Sequence, residues 1–123
     1  MDSMSPLPSA YELAPGEAER ELRVQLAAAY RLVYHFGWTE LIYGHLTARC
    51  PGPEHHFLIN PYGLHYKEVT ASNLVKVDIE GNIVEDTEYR VNPAGIVIHT
   101  AIHAARPDVQ CIAHTHTNAG MAV

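Results

Sequence analysis

The sequence has few basic residues: Lys and Arg together number 8, against 14 Asp and Glu, which gives a formal net charge of −6. The basic residues are scattered, so the sequence lacks the positive patch on which nucleic-acid binding depends. It also lacks a basic amphipathic stretch of the kind that lies on a membrane surface. No apolar run approaches the roughly 20 residues that cross a bilayer. We therefore expect neither a nucleic-acid partner nor a membrane partner.

Cysteine is scarce as well, and the first residues carry no secretory pattern. Cys50 and Cys111 lie far apart and form no C-x-x-C pair, which favours two reduced thiols over a disulfide framework. Residues 1–6 are acidic and contain proline, so they lack the basic flank and the apolar segment of a signal peptide. Together these features predict a cytoplasmic protein.

The length of 123 residues, of which 47% are hydrophobic, suits one domain with its own core. Residues 1–16 are rich in Pro and Ser and predict a flexible N-terminal arm, followed by a partial domain over residues 17–123. Residues 121–123 resemble neither a helix cap nor a polar tail. We therefore expect the chain to be a fragment of a longer protein.

Hydrophobic spacing predicts a first helix over residues 16–36, with Gly37 as its C-terminal cap. A second helix is predicted over residues 94–105, and Arg106-Pro107 ends it. The apolar positions of the first helix recur every three or four residues and should form one buried face: Leu22, Leu26, Ala29, Leu32, Val33 and Phe36.

Short strands are predicted over residues 46–50, 56–59 and 75–79, the last returning through a Gly81-Asn82 turn to residues 83 and 84. Residues 109–113 predict a buried strand after the second helix. Because hairpins precede that helix, much of the sheet should be antiparallel.

Histidine is abundant, with nine residues in the chain. His114 and His116 follow the last predicted strand two residues apart, and alternate side chains of a strand share a face. Two neutral imidazoles there could bind a divalent metal, although a complete site needs three or four ligands. The alternative is a hydrogen-bonded pair at a strand end that binds no metal.

The other histidines support weaker predictions. His99 and His103 share one face of the second helix and could also bind metal, but the apolar character of that helix favours buried structural histidines. His45 and His65 are predicted in loops beside glycines, where a ligand could approach.

A series of short motifs runs through the chain in a characteristic order. They are Gly44-His45-Leu46-Thr47, Ile59-Asn60-Pro61-Tyr62-Gly63, Asn92-Pro93-Ala94-Gly95, His99, Arg106-Pro107-Asp108-Val109 and His114-Thr115-His116-Thr117. Together they resemble the class II aldolase/adducin family, from about residue 20 to the end of the chain. The resemblance implies an α/β fold, a three-layer α/β/α sandwich around a mostly antiparallel central sheet, truncated here at its C-terminus.

The resemblance also implies a site for a small-molecule substrate. Enzymes of the family are typically homotetramers of carbohydrate metabolism that bind Zn²⁺, or a similar ion such as Mn²⁺ or Co²⁺, through three histidines. Two of these match His114 and His116, and the third is expected beyond Val123. The matching loops imply a set of substrate-binding residues: Gly44, His45, Asn60, Gly63, Pro93, Ala94 and Gly95.

The chain departs from the phosphosugar aldolases of this family. Their loop before the second helix carries two serines and a proton-transferring glutamate, where this chain has Pro93-Ala94-Gly95. Their second loop has a threonine where this chain has Tyr62. Since alanine cannot bond a phosphate and glycine cannot transfer a proton, we expect an unphosphorylated substrate and a place in the adducin-like branch.

Two functions of different class remain open. The first is a metal-dependent carbon–carbon lyase, aldolase-like or decarboxylase-like, that acts on a small unphosphorylated hydroxy acid, keto acid or sugar through a metal-stabilised enediolate. Tyr62, His45 or a downstream tyrosine of a neighbouring subunit are its candidates for proton transfer. The second is a non-catalytic adducin-like structural or interaction module, which keeps the fold without turnover.

Overall fold

The computed structural model describes residues 15–39 and 44–122. The predicted arm lies outside the described residues except for Pro15 and Gly16, which are already helical, and the division into an arm and a partial domain stays a prediction. The elements in chain order are helix α1 (Pro15–His35), strands β1 (His45–Arg49) and β2 (Phe57–Ile59), a 3₁₀ helix (Tyr66–Glu68), strand β3 (Val75–Val77), helix α2 (Pro93–Ala105), strand β4 (Cys111–His114) and the short helix α3 (Asn118–Met121).

The four strands form one antiparallel sheet in the order β3-β2-β1-β4. In the pairing of β1 with β4, His45 lies opposite His114. The predicted antiparallel pairing is therefore confirmed. The predicted return after Gly81-Asn82 is reduced to one bridge between Val77 and Ile83, because only that pair meets the geometry of a ladder.

Alternate side chains of strand β1 face two different helices. Leu46 and Ala48 pack in one cluster with the apolar face of α1, whereas Thr47 and Arg49 bond to histidines of α2. The phenyl ring of Phe57 stacks on one of those histidines, on the same side of the sheet. One helix therefore covers each face, which confirms the three-layer α/β/α arrangement within the described residues.

Helix α1 ends at His35, one residue before the predicted end, with Gly37 as the predicted cap, and its buried face is shifted. Gly37 has a positive φ of 71°, and the amides of Gly37 and Trp38 donate to the carbonyls of Tyr34 and Val33, both at 3.0 Å. Tyr30 lies at the centre of the buried face and is fully buried. The predicted core residues Leu32 and Phe36 are instead 54% and 58% exposed. The prediction was wrong there because Leu32 lies across the helix from Tyr30, and Phe36 lies beyond the last helical residue.

The predicted buried strand over residues 109–113 is also wrong. Strand β4 begins at Cys111, and the side chains of Cys111, Ala113 and His114 are exposed. The physical reason is position: β4 is the outermost strand, and among the described residues β1 is its only strand partner. The outer side of α2 is exposed as well, with Val97 at 68%.

Arg23 connects α1 to the loops beside it and lines a cavity with charged walls. Its guanidinium donates to the carbonyls of Ala71 and Leu74 at 3.2 and 3.0 Å, and it forms an ion pair with Glu85 at 2.6 Å. The cavity around it measures about 450 Å³. Because Arg23 already has these protein partners, we interpret this region as structural.

Neither cysteine is in a disulfide. Cys50 is buried, and burial raises the pKa of its thiol to about 12, whereas Cys111 is exposed. Across residues 15–39 and 44–122, no helix combines the length and the apolar character needed to cross a membrane.

Candidate functional site

The histidines singled out in the sequence meet where the end of β4 lies beside the start of β1. His114 is the last residue of β4 and is exposed, and His116 lies two residues farther along and is half-buried. Their ring centroids are 5.0 Å apart, with an angle of 44° between the ring planes. The two imidazoles thus lie side by side at one edge of the sheet, and both reach its surface.

His45 is the third ring of this cluster, which we call the histidine cluster (His45, His114 and His116). It is the first residue of β1, so it does not lie in the loop that the sequence predicted. Its side chain is 6% exposed, and its ring centroid lies 6.1 Å from that of His114. Burial is the largest cause that lowers the pKa of His45, and the neighbouring His114 and His116 lower it further.

Asn92 sets the tautomer of His45. The Asn92 Oδ1 accepts the amide of Ala94 at 3.0 Å and so caps helix α2. The Nδ2 group, which can only donate, is then left 3.2 Å from His45 Nε2. His45 Nε2 is therefore the acceptor, and the neutral ring carries its proton on Nδ1. Among the described residues this buried Nδ1 has no hydrogen-bond partner.

Two glycines let the backbone come close to the cluster. A Cβ on Gly95 would lie 2.9 Å from Cδ2 and Nε2 of His45, so only glycine leaves room for that ring. Gly44 has a φ of 87°, and a Cβ there would lie 2.7 Å from the carbonyl oxygen of His114. Sequence reasoning placed both glycines at the site, and the structure shows them in contact with its histidines.

A chain of buried hydrogen bonds lies behind the cluster, between β1 and α2, and we call it the buried relay (Arg49, His103, Thr47 and His99). Arg49 donates to His103 Nδ1 at 3.1 Å, so the neutral His103 carries its proton on Nε2. That nitrogen lies 2.9 Å from the hydroxyl of Thr47, which in turn lies 2.7 Å from His99 Nδ1. His103 Nε2 therefore donates to the Thr47 hydroxyl, and that hydroxyl donates to His99 Nδ1. The neutral His99 then carries its proton on Nε2.

The buried relay keeps both of its histidines neutral. His99 and His103 are 0% and 1% exposed, and the pKa of each is lowered to about 4, chiefly by burial. Arg49 contributes to the lowered pKa of His103, and the neighbouring histidines contribute to that of His99. His99 Nε2 is the second buried nitrogen without a hydrogen-bond partner among the described residues. The interpretation of this pair as buried structural histidines is therefore the better one for His103.

The remaining predicted site residues lie apart from the cluster or at its margin. Asn60 is buried, and its Oδ1 accepts the hydroxyl of Tyr30 at 3.0 Å, on the α1 side of the sheet. Tyr62 and Gly63 are exposed, and no hydrogen bond or ring contact of the described residues joins them to the histidine cluster. Pro93 and Ala94 are exposed at the start of α2.

His65 lies in the loop between Gly63 and the 3₁₀ helix, as predicted. It caps the 3₁₀ helix, where its Nδ1 faces the Lys67 amide at 3.4 Å and its own amide donates to Glu68 at 2.7 Å. Its ring packs edge-on against Tyr34. These contacts give His65 a structural role, and the approach of a ligand to it stays a prediction.

Sequence reasoning missed three residues of the site. Asn92 was named only as part of a family motif, although its position before Pro93 is a strong helix-cap signal. Thr47 could have been found, because it lies two residues from His45 on one face of β1. Tyr66, whose hydroxyl lies 3.1 Å from the point that a Cβ on Gly44 would occupy, had no local signal, since the path of the chain after β2 brings it there.

The metal-ligating groups present are fewer than a complete site needs. Within residues 15–39 and 44–122, no group of three or more His, Cys, Asp or Glu side chains is arranged to hold a metal ion. The adjacent rings of His114 and His116 nevertheless offer two imidazole ligands at the surface. The described residues therefore fit part of a metal site.

Comparison with known proteins supports the sequence resemblance. The Class II Aldolase and Adducin N-terminal domain matches residues 24–123. A relative from Caulobacter vibrioides, whose name assigns it provisionally to the class 2 aldolases, is 58% identical over 107 residues, which cover 87% of this chain and 42% of that protein. Alpha-adducin of Rattus norvegicus is 54% identical over 113 residues, which cover 90% of this chain and 15% of that protein.

Solved structures agree. An aldolase II superfamily protein from Pseudomonas syringae is 58% identical, with a TM-score of 0.82 over 90% of this chain and 44% of that chain. The L-fuculose 1-phosphate aldolase from Glaciozyma antarctica is 39% identical, with a TM-score of 0.84 over 96% of this chain and 47% of that chain. The chain thus spans about half the length of the bacterial relatives and solved structures that it matches. It belongs to the class II aldolase and adducin family.

Proposed function

We propose that the protein is a metal-dependent carbon–carbon lyase, aldolase-like or decarboxylase-like, for a small unphosphorylated hydroxy acid, keto acid or sugar. The observation that carries this proposal is the placement of His114 and His116 side by side at the end of β4, with ring centroids 5.0 Å apart. A pair of imidazoles at this spacing on an open surface suits joint coordination of one ion. The aldolase names of the relatives support the same reaction class.

The cation would be Zn²⁺, or else Mn²⁺ or Co²⁺, since imidazole suits all three. When bound, it supplies a Lewis acid that stabilises the negative charge developing beside a carbonyl as a carbon–carbon bond breaks. The protein's own contribution is positional: β4 holds two ligands, and Gly44 lets β1 approach them closely. The remaining ligand is expected from a histidine beyond Val123.

The residues around the cluster favour a substrate without phosphate. The start of α2 presents Pro93-Ala94-Gly95, and none of these side chains has a hydroxyl or a charge. The backbone nitrogen of Pro93 also lacks a proton, and the amide of Ala94 is already used by Asn92. A phosphate would therefore find few donors at this helix end, although one relative is named for L-fuculose 1-phosphate.

The metal site is tested in the full-length protein by elemental analysis after purification without chelating resins. We expect about one divalent ion per subunit in the wild type, and a loss of stoichiometric metal in His114→Ala and in His116→Ala. The matched control is His35→Ala, since His35 is an exposed histidine in the last turn of α1. A wild type without metal, or variants that retain it, would refute the site.

The substrate class is tested separately on the metal-loaded protein. Small hydroxy acids, keto acids and unphosphorylated sugars are screened for carbon–carbon cleavage, with L-fuculose 1-phosphate as the phosphorylated comparison. We expect cleavage of an unphosphorylated compound and negligible turnover of the phosphate ester. Efficient cleavage of the phosphate ester would contradict the interpretation of residues 93–95.

A non-catalytic adducin-like module is the second candidate function. The observation that favours it is the 54% identity with alpha-adducin over 90% of this chain. The two functions predict different behaviour of one variant: His114→Ala would abolish cleavage by a lyase, whereas a purely structural module would keep its partner binding. We further propose that the full-length protein is cytoplasmic and forms a homotetramer. Sedimentation of the full-length protein tests the tetramer.

A further inference from the structure

Two buried tyrosines lie together behind the sheet but use their hydroxyl groups differently. Tyr30 of α1 and Tyr66 of the 3₁₀ helix pack edge-to-face with ring centroids 4.8 Å apart, and they are 0% and 1% exposed. The hydroxyl of Tyr30 accepts the amide of Leu46 at 2.8 Å and lies within bonding reach of the Leu46 carbonyl and of Asn60. The hydroxyl of Tyr66 has no hydrogen bond among the described residues.

An unused hydroxyl that reaches solvent from a buried ring is available to bond a ligand, because it has no partner within the fold to give up. Burial alone raises the pKa of Tyr66 well above its usual range, and no bonded group opposes that effect. The phenol is therefore a neutral hydrogen-bond donor over the whole working range of pH. Among residues 15–39 and 44–122, the buried side-chain atoms without partners are His45 Nδ1 and His99 Nε2. The Tyr66 oxygen is not one of them, so it is not sealed from solvent.

The position of that oxygen relates it to the metal-ligating pair. It lies 3.1 Å from the point that a Cβ on Gly44 would occupy, and the same point is 2.7 Å from the His114 carbonyl oxygen and 3.7 Å from the His116 ring. Tyr66 thus reaches the site from the α1 side of the sheet, while His45 reaches it from the α2 side. Because Gly44 has no side chain, nothing at that residue separates the hydroxyl from the two histidines.

We propose that the Tyr66 hydroxyl is a ligand-binding donor of this site, which bonds an oxygen atom of the compound held at His114 and His116. This inference rests on the proposed function and adds to it a group that fixes the orientation of an oxygen-rich ligand. The conformation of Tyr66 is imposed by packing against Tyr30 and by the capping of its helix by His65 and Glu68. The donor is therefore positioned before the ligand arrives, which limits the entropy lost on binding.

The test compares Tyr66→Phe with Tyr30→Phe in the full-length protein, since both changes remove one hydroxyl from a fully buried ring. Thermal unfolding is measured first. We expect the melting temperature to fall in Tyr30→Phe, which loses hydrogen bonds within the fold. We expect it to stay level in Tyr66→Phe, which removes no hydrogen bond within the described residues. A fall in Tyr66→Phe as large as that in Tyr30→Phe would show that the hydroxyl is structural and would overturn the proposal.

Binding is measured next by calorimetry, first with Zn²⁺ alone and then with acetohydroxamate, a small oxygen chelator, on the zinc-loaded protein. In Tyr66→Phe we expect an unchanged zinc affinity and an acetohydroxamate Kd raised about threefold to tenfold, the value of one hydrogen bond. An unchanged acetohydroxamate Kd would overturn the role of Tyr66 and leave the metal site intact. A wild type that binds no zinc would instead refute the proposed function and this inference with it.

Discussion

Thr47 bonds to both histidines of the buried relay, so replacing it with valine measures what these hydrogen bonds contribute to the free energy of unfolding. Thr47 is fully buried, and its hydroxyl lies 2.7 Å from His99 Nδ1 and 2.9 Å from His103 Nε2. Valine has nearly the same shape and fills the same space. The substitution therefore removes hydrogen bonds without opening a cavity, and it leaves one ring nitrogen of each histidine unpaired.

The magnitude follows from these two losses. Each buried nitrogen left without a partner costs about 1–3 kcal/mol. Exchanging a hydroxyl for a methyl group in an apolar environment returns about 1 kcal/mol. The net expectation is a decrease of about 3 kcal/mol in the free energy of unfolding. That is a large fraction of the roughly 5–15 kcal/mol that stabilises a domain.

The assay is urea denaturation of the full-length protein with Thr47→Val, Thr47→Ser and Thr100→Val. Thr47→Ser keeps the hydroxyl and should recover most of the stability. Thr100 bonds to the Ile96 carbonyl of its own helix at 2.6 Å and is half-buried, so its valine variant should change the unfolding free energy by only about 0.5 kcal/mol. The hydrogen-bond assignment would be refuted if Thr47→Val unfolded at the same urea concentration as the wild type.

Three further predictions concern acid stability, packing and thiol reactivity. The pKa of His99 and of His103 is about 4 in the folded state, below the unfolded value of about 6.5. The stability that these neutral histidines provide is therefore full above pH 6.5 and is lost as the pH falls towards 4, by up to about 3 kcal/mol each. A free energy of unfolding that stays constant over that interval would contradict this. Gly95→Ala should lower the melting temperature, because the added Cβ would collide with the His45 ring. The overpacking cost of about 1–3 kcal/mol exceeds the gain in helix propensity of about 1 kcal/mol. The control Gly16→Ala should raise the melting temperature, since nothing lies within 4 Å of the Cβ there. Dithionitrobenzoate should label exposed Cys111 in the native state and leave buried Cys50 unreacted until unfolding. Equal labelling rates would contradict the burial of Cys50.

The elements of the fold could largely be predicted, because their signals are local. The second helix follows from Asn92 and Pro93 at its start, and the end of the first follows from Gly37. The exposure of β4 could not be predicted, because an apolar run has the same pattern in a central strand and at a sheet edge. Leu32 was misassigned for a related reason: spacing defines an apolar stripe, but the neighbouring elements decide which part of it is buried.

The candidate site was predictable where its residues are neighbours in sequence and unpredictable where the fold joins them. His114 and His116 could be paired from their spacing alone. That His45 lies opposite His114 depends on the register between β1 and β4, which lie far apart in the chain. Tyr66 reaches Gly44 only because the 3₁₀ helix packs on α1, and neither segment carries a motif that announces this contact.

The two faces of β1 differ in what they contribute, and this difference bears on the choice between enzyme and module. The side chains of β1 that face α1 are apolar and stabilise the fold by being buried. Those that face α2 are polar, and they avoid destabilising the fold only if all of their hydrogen bonds are made. Here His45 Nδ1 and His99 Nε2 are not satisfied by the described residues, at a cost of about 1–3 kcal/mol each. A module that needed only the fold would gain stability from apolar side chains at these positions. Because the uncompensated cost is concentrated beside His114 and His116, it favours a site that binds a ligand over a purely structural role.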